Sequence, residues 1–296
     1  MLSQSIPDFT AQTPSGGSAA VWRAGRFSWP VGVNDRPLVM GIVNVTPDSF
    51  ADGGQHMTTE LAIRHGELLL AEGADILDVG GESTRPGAPE VSVEIELARV
   101  LPVIRALVAG GHCVSIDSRK PLVMREAIAA GASVVNDVMA LTAPGAVAIC
   151  AESDVGVVLM HMQGQPGTMQ AAPVYEDVVA EVSEFLRSRA LACEAAGISR
   201  GRIALDPGFG FGKTLEHNLL LTKQLDRLLA LGYPVLAGWS RKGTLGKLTG
   251  RTVAAERVHA SVAAALVCVQ RGARMVRVHD VAATVDALKV WRAMTT

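Results

Sequence analysis

The sequence predicts an α/β protein, a (β/α)8 TIM barrel with an N-terminal β-hairpin, and three observations carry that expectation. From residue 38 onward, short β-branched runs alternate with amphipathic stretches, as repeated βα units on a parallel sheet require. There are eight such runs, the strand number of a closed barrel with one continuous core rather than of two half-sheets. Nearly every run ends on a polar residue, and in a parallel barrel all of those ends lie on one face.

Residues 1–20, MLSQSIPDFTAQTPSGGSAA, are rich in Ser, Thr, Gly, Pro and Gln without any period; they read as a flexible tail before a single domain at 21–296. RFSWPVGVNDRPLV, ahead of the first run, reads as a hairpin placed to plug the bottom of the barrel. The strands follow as LVMGIVNV, DILDVGG, CVSID, SVVNDV, GVVLMHM, RIALD, PVLAGWS and MVRVHD. Between the first two, TTELAIRHGELLLAEG puts Leu61, His65, Leu68 and Leu69 on one helical stripe, with Thr58 or Thr59 as the cap and Gly73 as the stop. Helices at about 92–109, 121–130, 174–196, 215–231, 253–271 and 281–294 fill the other gaps, TAPGAVAICAES being the weakest.

The strand ends are Asn44, Glu82-Ser83-Thr84-Arg85, Asp117, Asn136-Asp137, His161, Asp206, Ser240-Arg241-Lys242 and Arg277-Val278-His279. Any one Asp or Asn in such a place can simply cap the next helix or open a turn. Convergence of six or more argues otherwise, because an unpaired amide or carboxylate against a core costs about 1–3 kcal/mol. Asp117, Asn136, Asp206 and Lys242 offer two acceptor-only carboxylates, an amide and a point-charge donor, a set suited to a flat heterocycle with a guanidine-like edge. Arg277 and His279 suit an anion. DPGFGFGKT, residues 206–214, looks like a phosphate loop but fits neither template: Pro207 stands where a Walker loop needs its first Gly, and Lys213 where a dinucleotide fingerprint needs its last.

At 296 residues and 31.0 kDa the chain can bury a large core. Charged residues are 19% and the net charge is −2, so nothing draws the protein to nucleic acid or a membrane surface. No apolar run approaches the length of a membrane span, and the N-terminus lacks a basic start and an apolar signal core; a cytoplasmic protein is expected. Cys113, Cys150, Cys193 and Cys268 lack the paired spacing of a zinc or redox site and read as small buried hydrophobes. His65 and His259 read as helix-surface or packing residues, the four Trp as packing, and His161 as either a ligand or a satisfied strand-end side chain.

MGIVNVTPDSFADGG, GGESTRPGA, SIDS, VVNDV, LMHMQG, LDPGFGFGK, SRK and RVHDV occur in this order between residues 40 and 281, and together they resemble the dihydropteroate synthase family. The resemblance implies a homodimeric barrel that joins a dihydropterin diphosphate to 4-aminobenzoate with release of pyrophosphate. It implies that Asp117, Asn136, Asp206 and Lys242 hold the pterin between Met160 and Phe211, that Asn44 ligates Mg2+, and that Arg277 and His279 hold the diphosphate. Phe50, Thr84, Arg85 and Pro86 would shape the aminobenzoate site under two loops at roughly 46–57 and 83–91, with Asp52 near the reacting methylene and DPGFGFGKT passing its glycines close to the ring. Gly243 departs from the Ser common in relatives, leaving a backbone N–H at a helix start to meet the aminobenzoate carboxylate. A pterin-binding methyltransferase would share the pterin residues without needing both loop motifs; a non-catalytic paralogue would show eroded ones.

Overall fold

The computed structural model describes residues 20–46, 55–83, 89–164, 169 and 172–295. It opens on an antiparallel hairpin of β1 (Val21–Ala24) and β2 (Phe27–Pro30), turned at Gly25 with φ +55°. The hairpin thus starts earlier than expected: Trp22 pairs with Trp29, and most of the segment after Pro30 is an irregular link.

Eight parallel strands follow: β3 (Leu38–Asn44), β4 (Ile76–Gly80), β5 (Val114–Asp117), β6 (Val134–Asp137), β7 (Gly156–Met160), β8 (Ile203–Asp206), β9 (Leu236–Ala237) and β10 (Met275–Val278). Their order is β8-β7-β6-β5-β4-β3-β10-β9, and a bridge between Leu205 and Val235 links the two ends. The closed sheet fixes the parity of every strand. Leu38, Met40, Ile76, Val134, Val158, Ala204, Leu236 and Met275 form one inner layer, and Trp22, Ala24 and Val31 pack onto it. Trp22 is fully buried, and the N–H of Gly25 donates to the carbonyl of Asp154 at 2.9 Å. The hairpin therefore closes the N-terminal end of the barrel, leaving the opposite end for chemistry.

The outer ring comprises α1 (Gln55–Ala71), α2 (Val93–Ala109), α3 (Pro121–Ala129), α4 (Ala146–Ala151), α5 (Val178–Ala195), α6 (Leu215–Lys223), α7 (Leu225–Leu229), α8 (Gly243–Thr249), α9 (Val258–Gln270) and α10 (Val281–Thr295). Caps explain several starts: Ser92 accepts from the Ile95 N–H, Asp177 from Val179 and Ala180, and Thr214 forms a reciprocal box with His217. In α1 the helix begins before Thr58 and Thr59, which therefore do not cap it. Its buried stripe is Ala62, Gly66 and Leu69, whereas Leu68 is 53% exposed; the expected stripe was rotated, because Leu68 and Leu69 lie 100° apart on a helix. The chain leaves α1 through Gly73 at φ +103°. All four cysteines are buried and free. By itself, no described helix is long and apolar enough to cross a membrane.

Candidate active site

At the C-terminal end of the barrel, inward parity places Asp78 of β4, Asp117 of β5, Asn136 of β6, Asp206 of β8 and Arg277 of β10 around one interior. The Asp206 carboxylate accepts the Gly208 N–H at 2.7 Å. Arg277 donates from Nε to Asp78 at 2.6 Å and from Nη2 to Asp117 at 2.6 Å, and Asn136 Nδ2 donates to the same Asp78 oxygen at 3.0 Å. Arg277, expected to face an anion, is thus tied by two carboxylates to the strand ends expected to hold the ring; among the described residues its Nη1 has no partner.

The electrostatics follow from burial. Loss of water pushes Asp117 up to about 7 against the pull of Arg277, and Asp206 is raised for the same reason. Burial, with Arg277 nearby, brings Lys242 down to about 8. Its ammonium lies 3.9 Å from the centre of the Phe211 ring, a cation–π contact. Phe211 and Met160 belong to one small apolar cluster with Val138, Met162 and Met169, beside the carboxylates. An acceptor-rich, partly desolvated bowl with an apolar wall can bind a flat, donor-edged ring and favours positive charge on it.

The remaining tips divide. Ser240 Oγ meets His279 Nδ1 at 3.0 Å and accepts the His279 N–H at 3.0 Å, so the His279 ring is held at the mouth. Asn44 is half-buried at the end of β3. Asp137 faces away and accepts the N–H groups of Met139 and Leu141, a turn role; Arg241 pairs with Asp280. His161 is satisfied by Lys213 at 3.0 Å, and burial drops it to about 3. Phe50, Asp52, Thr84, Arg85 and Pro86 lie outside the described residues.

The glycines of DPGFGFGKT let two backbone segments approach closely. A Cβ on Gly208 would lie 1.9 Å from the His161 carbonyl oxygen, and one on Gly212 2.5 Å from that of Gln163, both at positive φ. Both of these close approaches are to the backbone after β7. Lys213 locks it, donating to the carbonyls of His161, Gly208 and Phe211 at 3.0–3.2 Å, and burial brings its ammonium down to about 7. Sequence reasoning missed Lys213, and also Asp78, which is fully buried. The signal for Asp78 was a lone acid at an inward position of DILDVGG, two residues before the tip. It also missed a part-buried set in which Glu82 pairs with Arg119 and Lys120, and Lys120 with the buried Glu96. Gly243 is exposed at the start of α8, with open space where a Cβ would go.

A family profile described as "Pterin binding enzyme" matches residues 40–279. The chain is 55% identical over 280 residues to the dihydropteroate synthase of Neisseria meningitidis serogroup B, covering 93% of this chain and 97% of that one. It is similar to the solved structure of Xanthomonas albilineans dihydropteroate synthase with 4-aminobenzoic acid, at TM-score 0.84 and 58% identity over 89% of this chain and 94% of the other. A structure of the Xanthomonas albilineans enzyme in complex with 7,8-dihydropteroate gives TM-score 0.82 and 56% identity over 89% and 95%.

Proposed function

The chain belongs to the dihydropteroate synthase family of pterin-binding enzymes, and from that premise we propose how its own residues carry the reaction. It is a transferase that condenses (7,8-dihydropterin-6-yl)methyl diphosphate with 4-aminobenzoate to give 7,8-dihydropteroate and diphosphate. The observation that carries the assignment of roles is the convergence of Asp117, Asn136, Asp206 and Arg277 from four strands on one bowl walled by Met160 and Phe211.

In this reading Asp117, Asn136 and Asp206 take the guanidine-like edge of the pterin, Lys242 takes a ring acceptor, and Met160 and Phe211 flank the ring. The methylene C–O bond breaks with both electrons leaving on the diphosphate, so a cation spreads from the methylene into the ring. Asp117 and Asp206 stabilise that cation through the field of their carboxylates. The arylamine lone pair then forms the C–N bond, and the nitrogen sheds its proton to solvent. Arg277 and His279 meet the departing oxyanions, Arg277 from a position shared with the ring site. Gly243 offers its N–H to the aminobenzoate carboxylate. Asp52 is assigned to face the cation, and Phe50, Thr84, Arg85 and Pro86 to surround the aminobenzoate.

With the described residues, Mg2+ fits as an ion carried by the diphosphate. No group of three or more His, Cys, Asp or Glu among the described residues could hold a metal, and Asn44 supplies one neutral oxygen, which suits an ion that keeps its waters and binds mainly to phosphate. Bound there, Mg2+ would neutralise charge on the leaving group.

A homodimer belongs to the same reading, supported by exposed apolar residues on three C-terminal helices: Leu248, Val267, Val290 and Met294. Four unpaired thiols support a reducing, cytoplasmic setting. The test is direct: purified protein with dihydropterin diphosphate, Mg2+ and 4-aminobenzoate is expected to yield dihydropteroate and pyrophosphate in equal amounts. Pyrophosphate release without dihydropteroate would refute the transfer.

A further inference from the structure

We propose that Asp78 is a positioning residue for the pterin site, holding Arg277 and Asn136 in the arrangement that receives the ring without itself touching substrate. The inference rests on the pterin reading above and deepens it. Asp78 has no exposed surface, and one of its oxygens accepts both Arg277 Nε at 2.6 Å and Asn136 Nδ2 at 3.0 Å. In sheet order, Arg277 of β10 lies two strands to one side of β4 and Asn136 of β6 two strands to the other. The contacts therefore cross the barrel interior, and no local turn could supply them.

The chemistry of an ionised carboxylate gives this arrangement a consequence. Such a group only accepts, so Asn136 must turn its amide nitrogen toward Asp78, which leaves the amide oxygen as the group available to donors on the ring. A neutral amide in place of Asp78 could either donate or accept, and the orientation of Asn136 would no longer be fixed. Arg277 is constrained in the same way. With Nε on Asp78 and Nη2 on Asp117, its guanidinium is held in one plane, and Nη1 remains for a further acceptor.

Packing does not account for this carboxylate. Among the described residues its second oxygen has no partner, nor does the hydroxyl of Ser115, which stands opposite Asp78 in the β4–β5 register. A well-packed apolar side chain would stabilise a barrel interior at least as well as an incompletely satisfied buried charge. The acid makes sense through the groups it holds.

The test is Asp78→Asn, close in shape and lacking the charge, with titration of dihydropterin diphosphate into wild type and variant and steady-state kinetics on both. We expect the pterin dissociation constant to rise about ten- to a hundredfold, the loss of a charge-assisted anchor, while the Michaelis constant for 4-aminobenzoate at saturating pterin stays within about twofold. The pH profile gives a readout that packing alone would not move. Asp117 is faced by Arg277 of β10, Asp78 of β4, Glu96 of α2, Asp137 of β6 and Lys242 after β9. Removing Asp78 takes away one carboxylate that pushes Asp117 up, so the acid limb of pterin binding should move to lower pH. A pterin constant within twofold of wild type, or an acid limb that stays in place, overturns the proposal. If wild type itself binds no pterin, the functional reading fails and takes this inference with it. Should Asp78→Asn not fold, nitrogen-15 NMR of wild type decides. The Arg277 Nε–H, assigned by Arg277→Lys, is expected to exchange slowly with water and to persist when pterin binds; fast exchange or loss on binding would sink the idea.

Discussion

Asp117 and Lys242 sit on opposite sides of the same balance: one is a carboxylate pushed up to about 7, the other an ammonium brought down to about 8, each because burial disfavours its charged form. Pterin binding that uses both charges should strengthen as pH rises through about 7, where Asp117 ionises, and weaken above about 8, where Lys242 loses its proton. Calorimetric titration across this range checks it; an affinity that keeps rising above the upper value would remove Lys242 from the ring site. Gly243 makes a second case at this scale. The structure gives it open space and no left-handed backbone angle, so a side chain is sterically free there. Gly243→Ser is therefore expected to lower the Michaelis constant for 4-aminobenzoate by a few-fold to roughly tenfold, one added hydrogen bond being worth about 0.5–1.5 kcal/mol, with the pterin constant unchanged. A raised aminobenzoate constant would refute the hydroxyl argument. Residues such as Asp117, Asn136 and Asp206 were legible because a polar group closing an apolar run is a local pattern. Lys213 was not, since its partners are carbonyls, and backbone acceptors leave no trace in sequence.

Loops and helices show where periodicity helps and where it stops. The Gly-rich segment after β8 was recognisable as a loop, but its partner was not: Gly208 is excluded from carrying a Cβ by the His161 backbone, 47 residues earlier at the neighbouring strand end. Gly208→Ala is expected to destabilise the protein by more than about 2 kcal/mol, beyond the roughly 1–2 kcal/mol of a left-handed backbone alone, and to weaken pterin binding because Gly208 anchors Asp206. Gly145→Ala is the control: φ there is +85° with nothing within 4 Å, so only the backbone cost should appear. Denaturant melts of the pair separate steric contact from backbone strain; equal losses would dismiss the contact. In α1 the helix itself was readable, yet four leucines in LAIRHGELLL allow more than one stripe, and only the facing β3 and β4 chose Ala62, Gly66 and Leu69.

The molecule as a whole uses one end for stability and the other for chemistry. The hairpin carries a fully buried Trp22 onto the inner layer of the barrel, so Trp22→Ala should cost about 3–5 kcal/mol in chemical denaturation while the folded variant keeps wild-type pterin affinity. Loss of affinity without loss of stability would show that the two ends are not separate. By itself the sequence determined the eight strands, their order of alternation with helices, and the identity of the polar tips, because strand periodicity, β-branching and turn residues act over a few neighbours. Only the tertiary structure decided which tips meet. Arg277 and Asp78 are 199 residues apart in the chain, and they come within 2.6 Å because the sheet closes and parity turns both side chains inward. Closure is a property of all eight strands at once, so a pairing across the barrel is written in no single stretch of the chain.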